Sequence, residues 1–135
     1  LIIWEINSAG ILIKIAYEIL SGEIAAKNKK YVVAIEHLKK AVELEYTLRY
    51  DEPPTWFYPC SQNLGAVLIE AGKYAEAEKV YLKNLEDVPE NGWALFGLHQ
   101  AVQKQNRFDE AAEIQKRFNE AWKYADVTLT SSRIM

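Results

Sequence analysis

Gly72-Lys73-Tyr74-Ala75-Glu76-Ala77-Glu78-Lys79-Val80-Tyr81 is the stretch that decides the fold. The glycine suits the left-handed residue that ends one helix. A helical pattern starts after it, with Ala77, Val80, Tyr81 and Leu85 recurring at three- and four-residue steps as one buried stripe. Glu78 and Asn84 fall off that stripe and are expected to face water. Pro89 stops the helix. The motif then returns on both sides. Asn106-Arg107-Phe108-Asp109-Glu110-Ala111 follows it, and Lys30-Tyr31-Val32-Val33-Ala34 precedes it. The step from Ala77 to Ala111 is one period of about 34 residues. The step from Ala34 to Ala77 is longer, and Gly22 to Gly65 repeats that longer step, so extra residues lie between the first two units. A period of this size marks a stack of like units, each needing its neighbour to bury its apolar face.

The residue choices have a common physical logic. Gly22 and Gly65 let antiparallel helices approach, and Ala34, Ala77 and Ala111 keep each pair tight. Tyr31, Tyr74 and Phe108 are expected to plug the turns, with Gly72 and Asn106 in left-handed conformation. The expected helices run over about 8–27, 30–46, from between 55 and 59 to about 71, 74–88, 92–104 and 108–124.

These residues resemble the tetratricopeptide repeat, a helix–turn–helix unit with an aromatic opening its second helix. The likeness covers about residues 15–125. It implies an all-α fold, an antiparallel helix-pair solenoid of about three repeats with an extended C-terminal tail. The expected divisions are an N-terminal extension of the first helix at 1–14, repeats at 15–48, 58–91 and 92–125, a Pro-rich insert at 49–57, and a tail at 126–135. The insert Tyr50-Asp51-Glu52-Pro53-Pro54-Thr55-Trp56, with Tyr58-Pro59 and Glu90-Asn91-Gly92-Trp93, is also similar to the C-terminal portion of longer bacterial tetratricopeptide proteins. That likeness implies that further repeats precede this segment in a parent chain. The apolar opening Leu1-Ile2-Ile3-Trp4 reads the same way, as a face cut from upstream neighbours.

Composition removes several function classes. Of 135 residues, 16 are basic and 19 acidic, a net charge of −3, which leaves no basic footprint for nucleic acid and no attraction to anionic membrane. Glu5, Lys14 and Glu18 interrupt the apolar start before it reaches membrane-spanning length. A single cysteine, Cys60, and two histidines far apart in the chain, His37 and His99, speak against a metal site or disulfide framework. No phosphate loop or nucleophile elbow occurs, so neither cofactor nor catalytic residues are expected. Cys60 is expected to be a small packed residue in the first turn of its helix, His37 to face solvent, and His99 to push its pair apart or point outward. A cytoplasmic location is the default.

Arrays of this kind commonly bind peptides on the face lined by the first helix of each unit. The family's best-known clamp uses Lys, Arg and Asn against a peptide carboxylate. The matching positions here are Ile19, Glu23, Asn63, Trp93 and Gly97, and only Asn63 fits. Without cations that ligand class is rejected. The expected face holds Ile19, Glu23, Ala26, Gln62, Asn63, Ala66, Glu70, Trp93, Phe96, Gln100 and Gln103, able to take a peptide by stacking and amide hydrogen bonds. Trp93 and Phe96 could instead be buried between repeats or under the tail. The insert offers Asp51, Glu52 and Trp56 as further binding groups. The alternative is a rigid connector whose aromatics cover the junction between repeats, with Asp51 or Glu52 bonding the N–H groups that open helix three.

Two functions remain. One is a protein-interaction scaffold that docks a peptide or partner protein in the groove. The other is a non-catalytic regulatory or structural C-terminal part of a larger enzyme or metal-binding protein. A groove left open favours the first, and one filled by tail or insert favours the second. Homo-oligomerisation through the apolar N-terminal helix is a third possibility.

Overall fold

A computed structural model describes residues 9–48, 56 and 58–134. Six helices follow one another: α1 Ala9–Lys27, α2 Tyr31–Tyr46, α3 Cys60–Glu70, α4 Tyr74–Asp87, α5 Gly92–Lys104 and α6 Phe108–Trp122. They pack as sequential antiparallel pairs, and each helix also touches the next in order. In addition α1 packs close to α3 and α3 close to α5, whereas α2 and α4 lie farther apart and meet through side-chain ends, Tyr46 Oη donating to Asp87 Oδ2 at 2.9 Å and Lys39 Nζ lying 3.9 Å from Glu76 Oε2. The stack therefore bends toward its first helices, which line the inner side.

The three turns within the pairs are built alike. Lys29, Gly72 and Asn106 have φ of 58°, 74° and 61°, and they are spaced along the chain by the same long and short steps as the sequence motifs. Each turn closes with two backbone bonds that satisfy carbonyls at the helix end. In the middle turn these are Lys73 N–H to Leu68 O at 2.8 Å and Gly72 N–H to Ile69 O at 3.0 Å. Lys29 was not legible as such a residue because a lysine offers no conformational hint.

The core is the inward stripe of every helix. Ile15, Ala34, Leu38, Ala41, Val67, Leu68, Ala77, Tyr81, Ala94 and Ala101 are all fully buried. A Cβ on Gly22 would lie 2.7 Å from Leu38 Cγ, so that glycine sets how closely α1 meets α2. Helix α6 stops at Trp122, just short of the expected end, and residues 125–134 form no helix or strand.

Several local expectations are corrected. Asn84 does not face water: it is 3% exposed, and its Nδ2 donates to Ser61 Oγ at 2.8 Å. Glu78 is mostly covered and binds Arg107 Nη1 at 2.8 Å and Gln105 Nε2 at 2.7 Å across the α5–α6 turn. His37 is turned toward α1, with Nδ1 2.6 Å from Glu18 Oε2. Phe108 is 61% exposed and so does not plug its turn. A stripe read from one helix cannot see polar groups supplied by the next pair.

Candidate functional site

The inner face is assembled around one tyrosine. Gly65 on α3 and Gly97 on α5 leave a slot that the Tyr81 ring of α4 fills; a Cβ at either glycine would fall within the ring. The ring is fully buried, and burial raises the phenol pKa. Its hydroxyl reaches the tail, where Ser132 Oγ lies 2.6 Å away. Ser132 is 1% exposed and donates to the Gln62 carbonyl at 3.0 Å. The serine hydrogen being used there, the tyrosine hydroxyl donates in the shorter bond.

The chain gets back to this place from α6 by a bend. Trp122 Nε1–H donates to the Val127 carbonyl at 2.7 Å, and Leu129 is buried. Beyond Ser132, Arg133 enters between two carboxylates. Its Nη2 is 2.7 Å from Glu70 Oε1 and its Nη1 is 3.5 Å from Glu23 Oε2. The guanidinium side chain is only 11% exposed. Glu23 is held in turn by Asn63, whose Nδ2 donates to Glu23 Oε1 at 2.8 Å. Asn63 is fully buried, and its Oδ1 has no hydrogen-bond partner among the described residues.

Four of the residues expected in the groove are thus brought together: Glu23, Gln62, Asn63 and Glu70. They surround the tail. Gln62 is tied up further, because its Oε1 accepts from Asn91 Nδ2 at 3.0 Å while the same Nδ2 reaches Asn84 Oδ1 at 2.9 Å. Asn91 also accepts from Trp93 N–H and so caps α5. Trp93 and Phe96 lie elsewhere: both are half-buried against α6, Trp93 edge-on to Trp122 and Phe96 tilted on Phe118, with ring centroids 5.6 and 5.7 Å apart. Trp122 also packs over Gly92. Gln100 is half-buried and Gln103 exposed. Tyr81, Ser132 and Arg133 were missed in the sequence. In the sequence Tyr81 reads as core only, and the tail offers no periodicity to place it.

The insert lies largely outside the described residues, Asp51 and Glu52 included. Trp56 is half-buried and packs against the core. The Tyr58 hydroxyl pKa is raised by burial, partly offset by a hydrogen bond with Asn63. At the start of α3 a carboxylate from α2 is in place: Glu45 Oε2 accepts from Cys60 N–H at 3.1 Å. Burial raises the Glu45 pKa against that bond. Cys60 is fully buried, and burial followed by the nearby Glu45 charge pushes its thiol pKa up, so it is a packed residue. His99 is half-buried, and burial lowers its pKa.

Elsewhere on the surface, α1 turns Ile13, Tyr17, Leu20 and Ile24 outward at 55–69% exposure. No helix among the described residues is long and apolar enough to cross a membrane. No group of three or more His, Cys, Asp or Glu among them is arranged to hold a metal ion.

Helix pairs stacked in series, with first helices lining the inside, define an all-α repeat architecture. More narrowly, residues 61–121, spanning α3 to α6, match the model of the tetratricopeptide repeat family. No curated protein matches the chain. The match implies a protein–protein interaction module of a kind that is typically non-catalytic.

Proposed function

We propose that the inner face of α1, α3 and α5 is where this module docks an extended protein segment, and that its own tail regulates access by lying there first. The supporting observation is the seat of Ser132 and Arg133: a non-helical segment held by Gln62, Glu23, Glu70 and Tyr81, four groups from three helices. That is how an extended peptide is read, by backbone and side-chain hydrogen bonds with few apolar anchors. Selection of short peptides against the full chain tests it. Selected peptides should shift backbone amide resonances of α1, α3 and α5; peptides that shift only α2, α4 and α6 overturn the reading.

The competing reading makes this a structural or regulatory C-terminal part of a larger enzyme or metal-binding protein. The filled face favours a brace of that kind if the tail never yields. Amide exchange separates the two: a docking face requires residues 129–133 to exchange faster than the α3 core.

A further reading rests on the α1 stripe. Tyr17, Leu20 and Ile24 hold the places in the first unit that Cys60, Asn63 and Val67 hold in the second, where all three are fully buried. We propose that a second copy covers this stripe. Light scattering should then show mass rising with concentration and Leu20→Glu abolishing the rise. A constant monomer mass removes this reading.

A further inference from the structure

We propose that the inner face is an arginine-reading site, and that its partner is an extended protein segment presenting a guanidinium, for which the chain's Ser132–Arg133 stands in. This rests on the docking role proposed above and names the ligand chemistry.

The argument starts from what the wall lacks. Glu23 and Glu70 supply two carboxylates, and the cation that balances them comes from Arg133 of the tail. Two carboxylates on neighbouring helices, one 9% and one 38% exposed, would repel each other if left alone. A guanidinium relieves this, since its planar fork reaches two acceptors at once and is more weakly hydrated than an ammonium. The fully buried Asn63 Oδ1, on the same amide that orients Glu23, adds a further acceptor beside the two carboxylates, one that Arg133 as seated does not bond. A guanidinium carries five donors and suits such a donor-poor wall better than lysine, with three. The residue before the arginine is also read. The Ser132 hydroxyl is buried between the Tyr81 hydroxyl and the Gln62 carbonyl and bonded to both. A small hydroxyl followed by arginine is therefore the expected signature. The tethered tail competes at high effective concentration, so a partner binds well only when the tail lets go.

The test uses the full chain with Arg133→Ala and a fluorescein-labelled peptide of residues 127–134, Val-Thr-Leu-Thr-Ser-Ser-Arg-Ile, followed by anisotropy at low salt. The variant should bind the peptide about tenfold or more tighter than the unmodified chain. Replacing the peptide arginine by alanine should lower affinity about tenfold or more, with lysine intermediate. Adding Glu70→Gln, an exposed change that spares the buried Glu23–Asn63 pair, should weaken binding by a similar factor. Circular dichroism confirms that each variant is folded. Equal affinity for arginine and alanine peptides, no effect of Glu70→Gln, or no binding by folded Arg133→Ala overturns the proposal. Peptides without arginine that still map to α1, α3 and α5 would overturn it while leaving the docking face in place. Peptides that map only to the outer helices would remove both.

Discussion

The two junctions of the stack share a backbone and fill it differently. At the second, Tyr81 passes between Gly65 and Gly97 and delivers its hydroxyl to the inner face. At the first, the corresponding residue is Leu38, which packs on Gly22 and carries no polar end. The counterpart of Gly97, one repeat earlier, is Asn63, and there the polar group comes from the first helix itself and holds Glu23. One junction thus presents a hydroxyl through a second helix, the other an amide and a carboxylate from first helices. The tail uses both, Ser132 at one and Arg133 at the other. A repeat can therefore keep its packing while moving the source of its polarity.

The comparison can be broken in several ways. Leu38→Ala should have the largest effect, about 2–5 kcal/mol of stability in thermal unfolding, because a fully buried aliphatic plug is lost. A loss under about 1 kcal/mol would mean that the first junction contributes little. Gly97→Ala should cost about 1–3 kcal/mol by driving a methyl into the Tyr81 ring. That cost should shrink in a Tyr81→Leu background, which gives the second junction the first one's plug; purely additive costs would deny the contact. Tyr81→Phe keeps the ring and removes the hydroxyl. It should cost about 0.5–1.5 kcal/mol and speed amide exchange at residues 129–133.

The smallest effect concerns Glu45 at the start of α3. Its folded pKa is raised above the ordinary 4.5, burial outweighing the Cys60 bond. The folded state therefore holds the proton more tightly than the unfolded one, and the stability tied to it is lost as pH rises through the folded pKa. Glu45→Gln removes this dependence. Denaturant unfolding from pH 4 upward should show the variant gaining on the native chain as pH rises; a constant difference would contradict the burial argument.

Much of the fold was legible because repeats announce themselves three times. The paired alanines, the glycines at close approaches and the turn at Gly72 each fix a backbone constraint that only certain residues meet. Helix α5 was placed to the residue, since Gly92 and Lys104 mark its ends. What escaped were long-range polar contacts. Asn84 reads as solvent-facing on its own helix, and only Ser61 and Asn91 explain its burial. Of the residues gathered around the tail, Glu23, Gln62, Asn63 and Glu70 follow from position within first helices. The tail's part was not legible, because Ser132 and Arg133 are far along the chain from Gln62 and Glu70, with no periodicity to link them.

The clasp of Arg133 also has a mechanical consequence. Two adjacent tail residues tie α1, α3 and α4 together across the inside of an arc, as a tie-rod spans a bow. Salt screens one of its fastenings more than the other, since Glu70 is partly wet and Glu23 is not. Ionic strength should therefore set how far the arc relaxes, and small-angle scattering would read the curvature of this molecule as a function of dissolved salt.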